Sequence, residues 1–235
     1  MHFLTKTRLH LLGFVIPKRI FYNRTTLNKD FSSAKQEREK KSLLSCKMKS
    51  ALMILAQGAE EMETVITVDM LRRAGVTVIL AGLDGDSPVL CSRQVTLVPD
   101  KSLKNAISDQ STFDAVILPG GLEGSERLSK SDVVGNLLKE HEQGGKIIAA
   151  ICAAPVAFVA HGVAKGKKVT SYPSMKDKIP QDYQYVEGER VVVDGNVVTS
   201  RGPGTAYWFG LKLIEVLVSK EKADEVEKGM IISSY

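Results

Sequence analysis

Lys146-Ile-Ile-Ala-Ala-Ile-Cys152-Ala-Ala-Pro155 is the stretch that decides the fold. Ile147 to Ile151 is apolar without interruption, the pattern of a strand buried on both faces. Cys152 follows at once, and Ala153, Ala154 and Pro155 lead into an apolar stretch, Ala154 to Ala160, that reads as helix. A thiol is thereby set at the carboxyl end of a central strand and at the start of the next helix, where ligands bind in open α/β sheets. The helix dipole and its unpaired N–H groups are expected to pull the thiol below its usual pKa of about 8.5. Small neighbours suit a sharp strand-to-helix elbow. A buried structural cysteine would leave the same local pattern.

Working outward, short apolar runs alternate with amphipathic stretches, as in a parallel sheet with crossover helices. Strands are expected at Ala51–Leu55, Val76–Ala81, Ala115–Leu118 and Lys146–Ile151, with Cys91–Val98 as part of a hairpin. Val191–Val193 and Val197–Thr199 flank a tight Asp194-Gly195 turn. Helices are expected at Glu60–Ala74, stopped by Gly75, at Asp132–Gln143, stopped by Gly144 and Gly145, and around Tyr207–Val218 and Lys222–Lys228. No internal repeat is visible.

The 235 residues hold 43% apolar and 25% charged side chains, enough for one ordinary globular domain and an appendage. The formal net charge of +5 is unevenly spread: residues 1–50 carry 12 Lys/Arg against 3 Asp/Glu, leaving 20 basic and 24 acidic groups beyond. The positive excess belongs to the extension, so the domain is mildly acidic and direct nucleic-acid binding is not expected. Three cysteines, Cys46, Cys91 and Cys152, are too few for a disulfide framework and fit a reducing compartment. Leu11 to Ile16 is broken by Pro17, Lys18 and Arg19, so no membrane span is expected.

Met1 to Asn28 is basic, bears hydroxyl groups and has no acid before Asp30, the composition of a mitochondrial transit peptide. The alternatives are a disordered tail or an extension bypassed by a start at Met48. The expected organisation is thus a basic extension over residues 1–48 and one domain over 49–235, located in the cytoplasm with mitochondrion and nucleus as further compartments.

Two more segments carry chemistry. Leu118-Pro119-Gly120-Gly121 ends a second buried strand, and its glycines let backbone N–H groups approach a ligand; with the N–H of Ala153 they form a candidate oxyanion site for a carbonyl attacked by Cys152. In Gly58-Ala59-Glu60-Glu61-Met62-Glu63 the first strand passes into its helix. Glu60 and Glu61 read as dipole partners in the first turn. Glu63 lies on a face that can turn inward, where a carboxyl beside the thiol has a raised pKa and exchanges protons with a reacting group.

Gly-Ala-Glu-Glu-Met-Glu-Thr-Val from 58, Leu-Pro-Gly-Gly from 118, Ala-Ala-Ile-Cys-Ala-Ala-Pro from 149 and Thr-Ser-Arg-Gly-Pro-Gly-Thr from 199 together resemble the DJ-one group of the ThiJ/PfpI superfamily, the Parkinsonism-associated deglycases. The likeness runs from about Ala51 to about Lys222. It implies an α/β, flavodoxin-like three-layer sandwich with a mostly parallel central sheet, assembled as a homodimer. It also implies Cys152 as nucleophile and oxidation sensor, Glu63 as the carboxyl at its sulfur, Gly121 and Ala153 as backbone donors, and Arg73 and Arg93 near the pocket and dimer seam. The implied activity is cofactor-free conversion of glyoxals to hydroxy acids and removal of early glycation adducts from proteins and nucleotides, with protection against oxidative stress and some chaperone activity.

The chain departs from the pattern it resembles at Tyr172, where many relatives place a histidine, at Val98, where relatives carry a second cysteine, and over Lys228–Tyr235. His161 reads as structural and His141 as solvent-facing, and His2 and His10 fall in the extension, so no triad forms. Ala153 stands where cysteine peptidases of the superfamily place histidine, and the His-x-Glu pair of glutamine amidotransferases is missing. No Cys/His cluster suggests a metal. A non-enzymatic redox sensor or chaperone using the same thiol is the competing function.

Overall fold

Along Ser50–Leu55 (β1) successive side chains part to opposite sides. Ala51 and Met53 enter one apolar cluster and Leu52 and Ile54 another, all with no solvent exposure. A strand with a two-residue period buried on both faces must lie inside a sandwich. Each large apolar side chain so buried stabilises the fold by roughly 1.5–3 kcal/mol.

The computed structural model describes residues 48–110 and 112–232. The readings placed on the basic extension lie outside the described residues. After β1 the chain forms α1 (Glu61–Arg73), β2 (Thr77–Gly82), β3 (Val89–Leu90), β4 (Thr96–Leu97), β5 (Lys101–Ser102) and α2 (Leu103–Asp109). There follow β6 (Ala115–Leu118), α3 (Leu122–Lys130), α4 (Asp132–Gln143), β7 (Ile147–Ile151) and α5 (Pro155–His161). The remainder is β8 (Lys168–Val169), β9 (Gln184–Tyr185), β10 (Val191–Asp194), β11 (Val197–Ser200), α6 (Ala206–Leu217) and α7 (Lys220–Gly229), with 3-10 turns at Pro173–Lys178 and Pro203–Thr205.

The main sheet has the order β10-β11-β7-β6-β1-β2-β5. Every neighbouring pair is parallel except β10 with β11. The chain leaves β1 for β2 on one side and later returns to β6 on the other, so the five parallel strands β2-β1-β6-β7-β11 have the flavodoxin order with its reversal between β1 and β6. One face is covered by α1, α6 and α7 through Met70, Leu71, Phe209, Leu213 and Val226. The other is covered by α2 to α5 through Leu103, Leu128, Leu138 and Phe158. The expected three-layer α/β sandwich is the fold found.

Local signals explain most boundaries. Ser102, Ser131 and Ser219 cap α2, α4 and α7 by accepting the N–H of Asn105, Val134 and Lys222 at 3.2, 3.4 and 3.2 Å. The expected hairpin is present: Val89 and Leu90 pair with Leu97 and Thr96, and Cys91–Val98 holds its turn, with Gln94 at φ 70°, and its second strand. Leu122–Lys130 is a helix the sequence does not announce, because Gly124 and two serines are weak helix formers. Packing of Leu128 and the ion pairs Glu123–Arg127 and Glu126–Lys130 at i,i+4 hold it.

Candidate active site

The carboxyl ends of β1, β6 and β7 lie side by side, and three short segments leave them: 56–60, 119–121 and 152–154. In the first, Glu60 is the N-cap of α1, its carboxylate accepting the Glu63 N–H at 2.8 Å. Glu61 does more than face the dipole. Its carboxylate accepts the Ser92 hydroxyl at 3.0 Å and the Arg93 N–H at 2.9 Å, tying the β3–β4 turn to α1. One turn in, Glu63 is completely buried, and its Oε2 accepts the Gly120 N–H at 2.7 Å.

Cys152 follows β7 with φ 63°, a left-handed conformation that costs about 1–3 kcal/mol for a residue with a side chain. Its neighbours hold it there: its N–H donates to Ser200 O at 3.0 Å, and its carbonyl accepts the Tyr172 N–H at 2.8 Å. The Thr205 hydroxyl in turn bridges Ser200 and the 201–202 backbone. The side chain is 9% exposed, and the backbone N–H groups of Gly121 and Ala153 are directed at its sulfur.

Gly120 is what lets thiol and carboxyl meet. A Cβ there would lie 2.5 Å from Cys152 Cβ and 2.6 Å from Glu63 Oε2. Gly121, at φ 85°, passes so close to the first segment that a Cβ would stand 2.2 Å from Gly58 O. The Pro-Gly-Gly motif therefore serves two fits at once, and the role of Gly120 as Glu63's donor was not anticipated.

Burial pushes the Glu63 carboxyl up to about 8, so it is largely protonated at neutral pH. Its Oε1 is buried without a well-formed hydrogen bond. Burial, and then the charge of an ionised Glu63, push the Cys152 thiol up to about 12. The expected depression of the thiol by the helix end is thus overturned. The seven-residue α5 begins with a proline that offers no N–H, and burial outweighs the donors. The part owed to Glu63's charge vanishes when Glu63 is protonated, so the pair exchanges one proton more readily than it holds two charges.

A cavity of about 620 Å³ opens over Cys152, bordered by Glu60, Arg93, Leu122, Tyr172 and Pro203. Arg93 thus reaches the cavity. Arg73 does not: it lies ten residues beyond Glu63, about 15 Å along α1, and pairs with Asp69 at 2.6 Å. Tyr172 stands 46% exposed at the cavity edge. His161 Nε2 donates to Leu128 O, 2.9 Å away, in keeping with a structural role. His141, expected to face solvent, is 4% exposed, its Nδ1 2.8 Å from Leu137 O, because it lies on the inner face of α4 with Val134, Leu137 and Leu138. Among the described residues no three His, Cys, Asp or Glu side chains are grouped to hold a metal, and no helix is long and apolar enough to cross a membrane.

A flavodoxin-like sheet with a strained cysteine at a strand end and a buried glutamate beside it places the chain in a class of α/β proteins with a cysteine at the sheet's carboxyl edge. Within that class the chain belongs to the DJ-1/PfpI family, whose model matches residues 49–216. It is 56% identical over 185 residues to the protein dj-1beta of Drosophila melanogaster, covering 79% of this chain and 98% of that one. The crystal structure of Drosophila DJ-1beta superposes with a TM-score of 0.76, again over 78% and 98% of the two chains. The chain is 40% identical over 187 residues to the glutathione-independent glyoxalase DJR-1.2 of Caenorhabditis elegans, covering 79% and 97%. An oxidized DJ-1 of Toxoplasma gondii is 40% identical with a TM-score of 0.73, covering 78% and 98%.

Proposed function

We propose that this protein is a cofactor-free, cysteine-dependent glyoxalase and deglycase that converts small dicarbonyls and their early protein or nucleotide adducts to hydroxy acids. The observation that carries the reading is the Cys152–Glu63 pair: a strained, nearly buried sulfur beside a carboxyl that exchanges protons near neutral pH. The likeness to a glutathione-independent glyoxalase supports it.

The Cys152 sulfur attacks the aldehyde carbon, forming a C–S bond, and its proton ends on the former carbonyl oxygen, giving a hemithioacetal. Gly121 and Ala153 N–H, which face the sulfur, are the donors in reach of that oxygen as it gains charge. In its ionised form Glu63 takes the proton from the former aldehyde carbon and returns it to the neighbouring carbon through an enediol, while the hydroxyl proton passes from the first oxygen to the second, leaving a thioester of a 2-hydroxy acid. Water hydrolyses the thioester and restores the thiol. The sum is dicarbonyl plus water to hydroxy acid, with no net oxidation and no call for an external oxidant.

Loss of methylglyoxal and formation of lactate, followed for wild type and Cys152→Ser, test the reading. Turnover confined to the wild type supports it, and equal rates in both remove it.

A second use of the same sulfur, as a peroxide sensor, is favoured by the protonated Glu63 beside it, which can donate a hydrogen bond to a sulfinate. A homodimer fits Met62 and Val65, apolar side chains exposed at 50% and 48% one turn apart on α1.

A further inference from the structure

The cavity over Cys152 does not stand alone. A second chamber of about 410 Å³ adjoins it, and Leu122, Glu123 and Ala153 border both. Ala153 follows the nucleophile directly, so the border the chambers share lies beside the reacting sulfur. Leu122, at the start of α3, forms the ridge between them and is 68% exposed, an apolar side chain with nothing to cover it among the described residues. Together the chambers far exceed the volume of a small dicarbonyl.

The second chamber has its own chemistry. Val156 and Met175 give it an apolar wall. Ser125, 1% exposed, borders it, and its buried hydroxyl has no hydrogen-bond partner among the described residues. Its two acids are engaged, Glu123 by Arg127 at 2.9 Å and Glu126 by Lys130 at 2.5 Å. Lys178, at the end of the 3-10 turn, is the one cation in the lining. Both acids have cationic partners outside the lining, with Arg127 shared with Asp84 at 3.7 Å, whereas Lys178 makes no ion pair among the described residues.

We propose that this chamber is a second subsite that takes the body of a larger carbonyl substrate, across Leu122 from the carbon attacked by Cys152, with an anionic end directed at Lys178. The preferred substrate class is thus a dicarbonyl or adduct with an apolar body and a terminal carboxylate. The claim about turnover rests on the glyoxalase reading above; the claim about binding does not.

Two arylglyoxals provide the probes, 4-carboxyphenylglyoxal and its carboxamide, whose hydrolytic products are the corresponding mandelates. In the wild type kcat/KM is expected to favour the carboxylate by about two- to five-fold, the size of an exposed charge interaction, and chiefly through KM. Lys178→Gln should bring the ratio to about one, Lys178→Glu should invert it, and Lys178→Arg should restore it. The two mandelates, titrated calorimetrically against Cys152→Ser protein with and without Lys178→Gln, report binding alone. A ratio near one in the wild type, or a ratio unmoved by Lys178→Gln, overturns the subsite even if both glyoxals are turned over. Lys178-dependent preference for the carboxylated mandelate without any turnover sustains the subsite and removes the glyoxalase reading.

Discussion

Gly120 and Cys152 occupy adjoining strand ends so closely that a single methyl group on the glycine would stand 2.5 Å from Cys152 Cβ. The same methyl would press on Glu63 Oε2 at 2.6 Å. Both neighbours are rigid: one is held by a strained backbone and the other by Gly120's own N–H.

Gly120→Ala should therefore part the thiol from the carboxyl. Overpacking of this kind costs about 1–3 kcal/mol, and displacement of reacting groups by an ångström costs on the order of 100-fold in rate. Denaturant unfolding and methylglyoxal turnover, measured on one preparation, should show both losses; wild-type values for both would mean the contact relaxes freely.

Glu63 sets a pH dependence of stability. Its carboxyl rises from 4.5 to about 8 on folding, so the folded state binds the extra proton. Its contribution is complete below about 4.5 and is lost as pH rises through about 8. Glu63→Gln should flatten the unfolding free energy across that window, whereas a parallel slope in both proteins would place the carboxyl's titration elsewhere.

His141 acts in the opposite sense. Burial lowers its pKa from 6.5, so protonation is favoured by unfolding and stability falls as pH drops below that value. His141→Leu should lose less stability than the wild type between pH 7 and pH 5, read as the shift in Tm.

The two described cysteines should differ in reactivity. Burial raises both thiols, Cys91 to about 11 and Cys152 to about 12, so access decides between them: Cys91 is 2% exposed and does not border the cavity, its sulfur donating to Val89 O at 3.9 Å. Cys152 opens on the cavity. Mild peroxide followed by mass spectrometry should find sulfinate at Cys152 first. Above pH 8, Glu63→Gln should also speed its alkylation, because the carboxylate charge opposing the thiolate is gone.

The parallel sheet was legible because β1, β6 and β7 are written as unbroken apolar runs, and α4 because the Gly144-Gly145 pair marks its end. Residues that act through the backbone were harder to see. Nothing in Leu-Pro-Gly-Gly says which glycine donates to a carboxyl 57 positions away, and Ser200 supports Cys152 with a carbonyl that any residue would supply. Arg73 was drawn toward the pocket and dimer seam by resemblance alone; helix geometry keeps it from the cavity of its own chain, and its place at a seam stays an expectation. His141 was misjudged because one polar residue on α4 falls within its buried stripe. The thiol's pKa was misjudged because burial depends on what the fold assembles around β7.

The conformation of Cys152 has a consequence for anyone hoping to transplant this reactivity. Its elbow is clamped by Ser200 on one side and Tyr172 on the other, neither of which belongs to the local motif. Copying Ile151 to Ala154 onto another sheet would carry the letters and leave the brace behind, and the peptide would be expected to settle into a relaxed extended turn with its thiol aimed elsewhere.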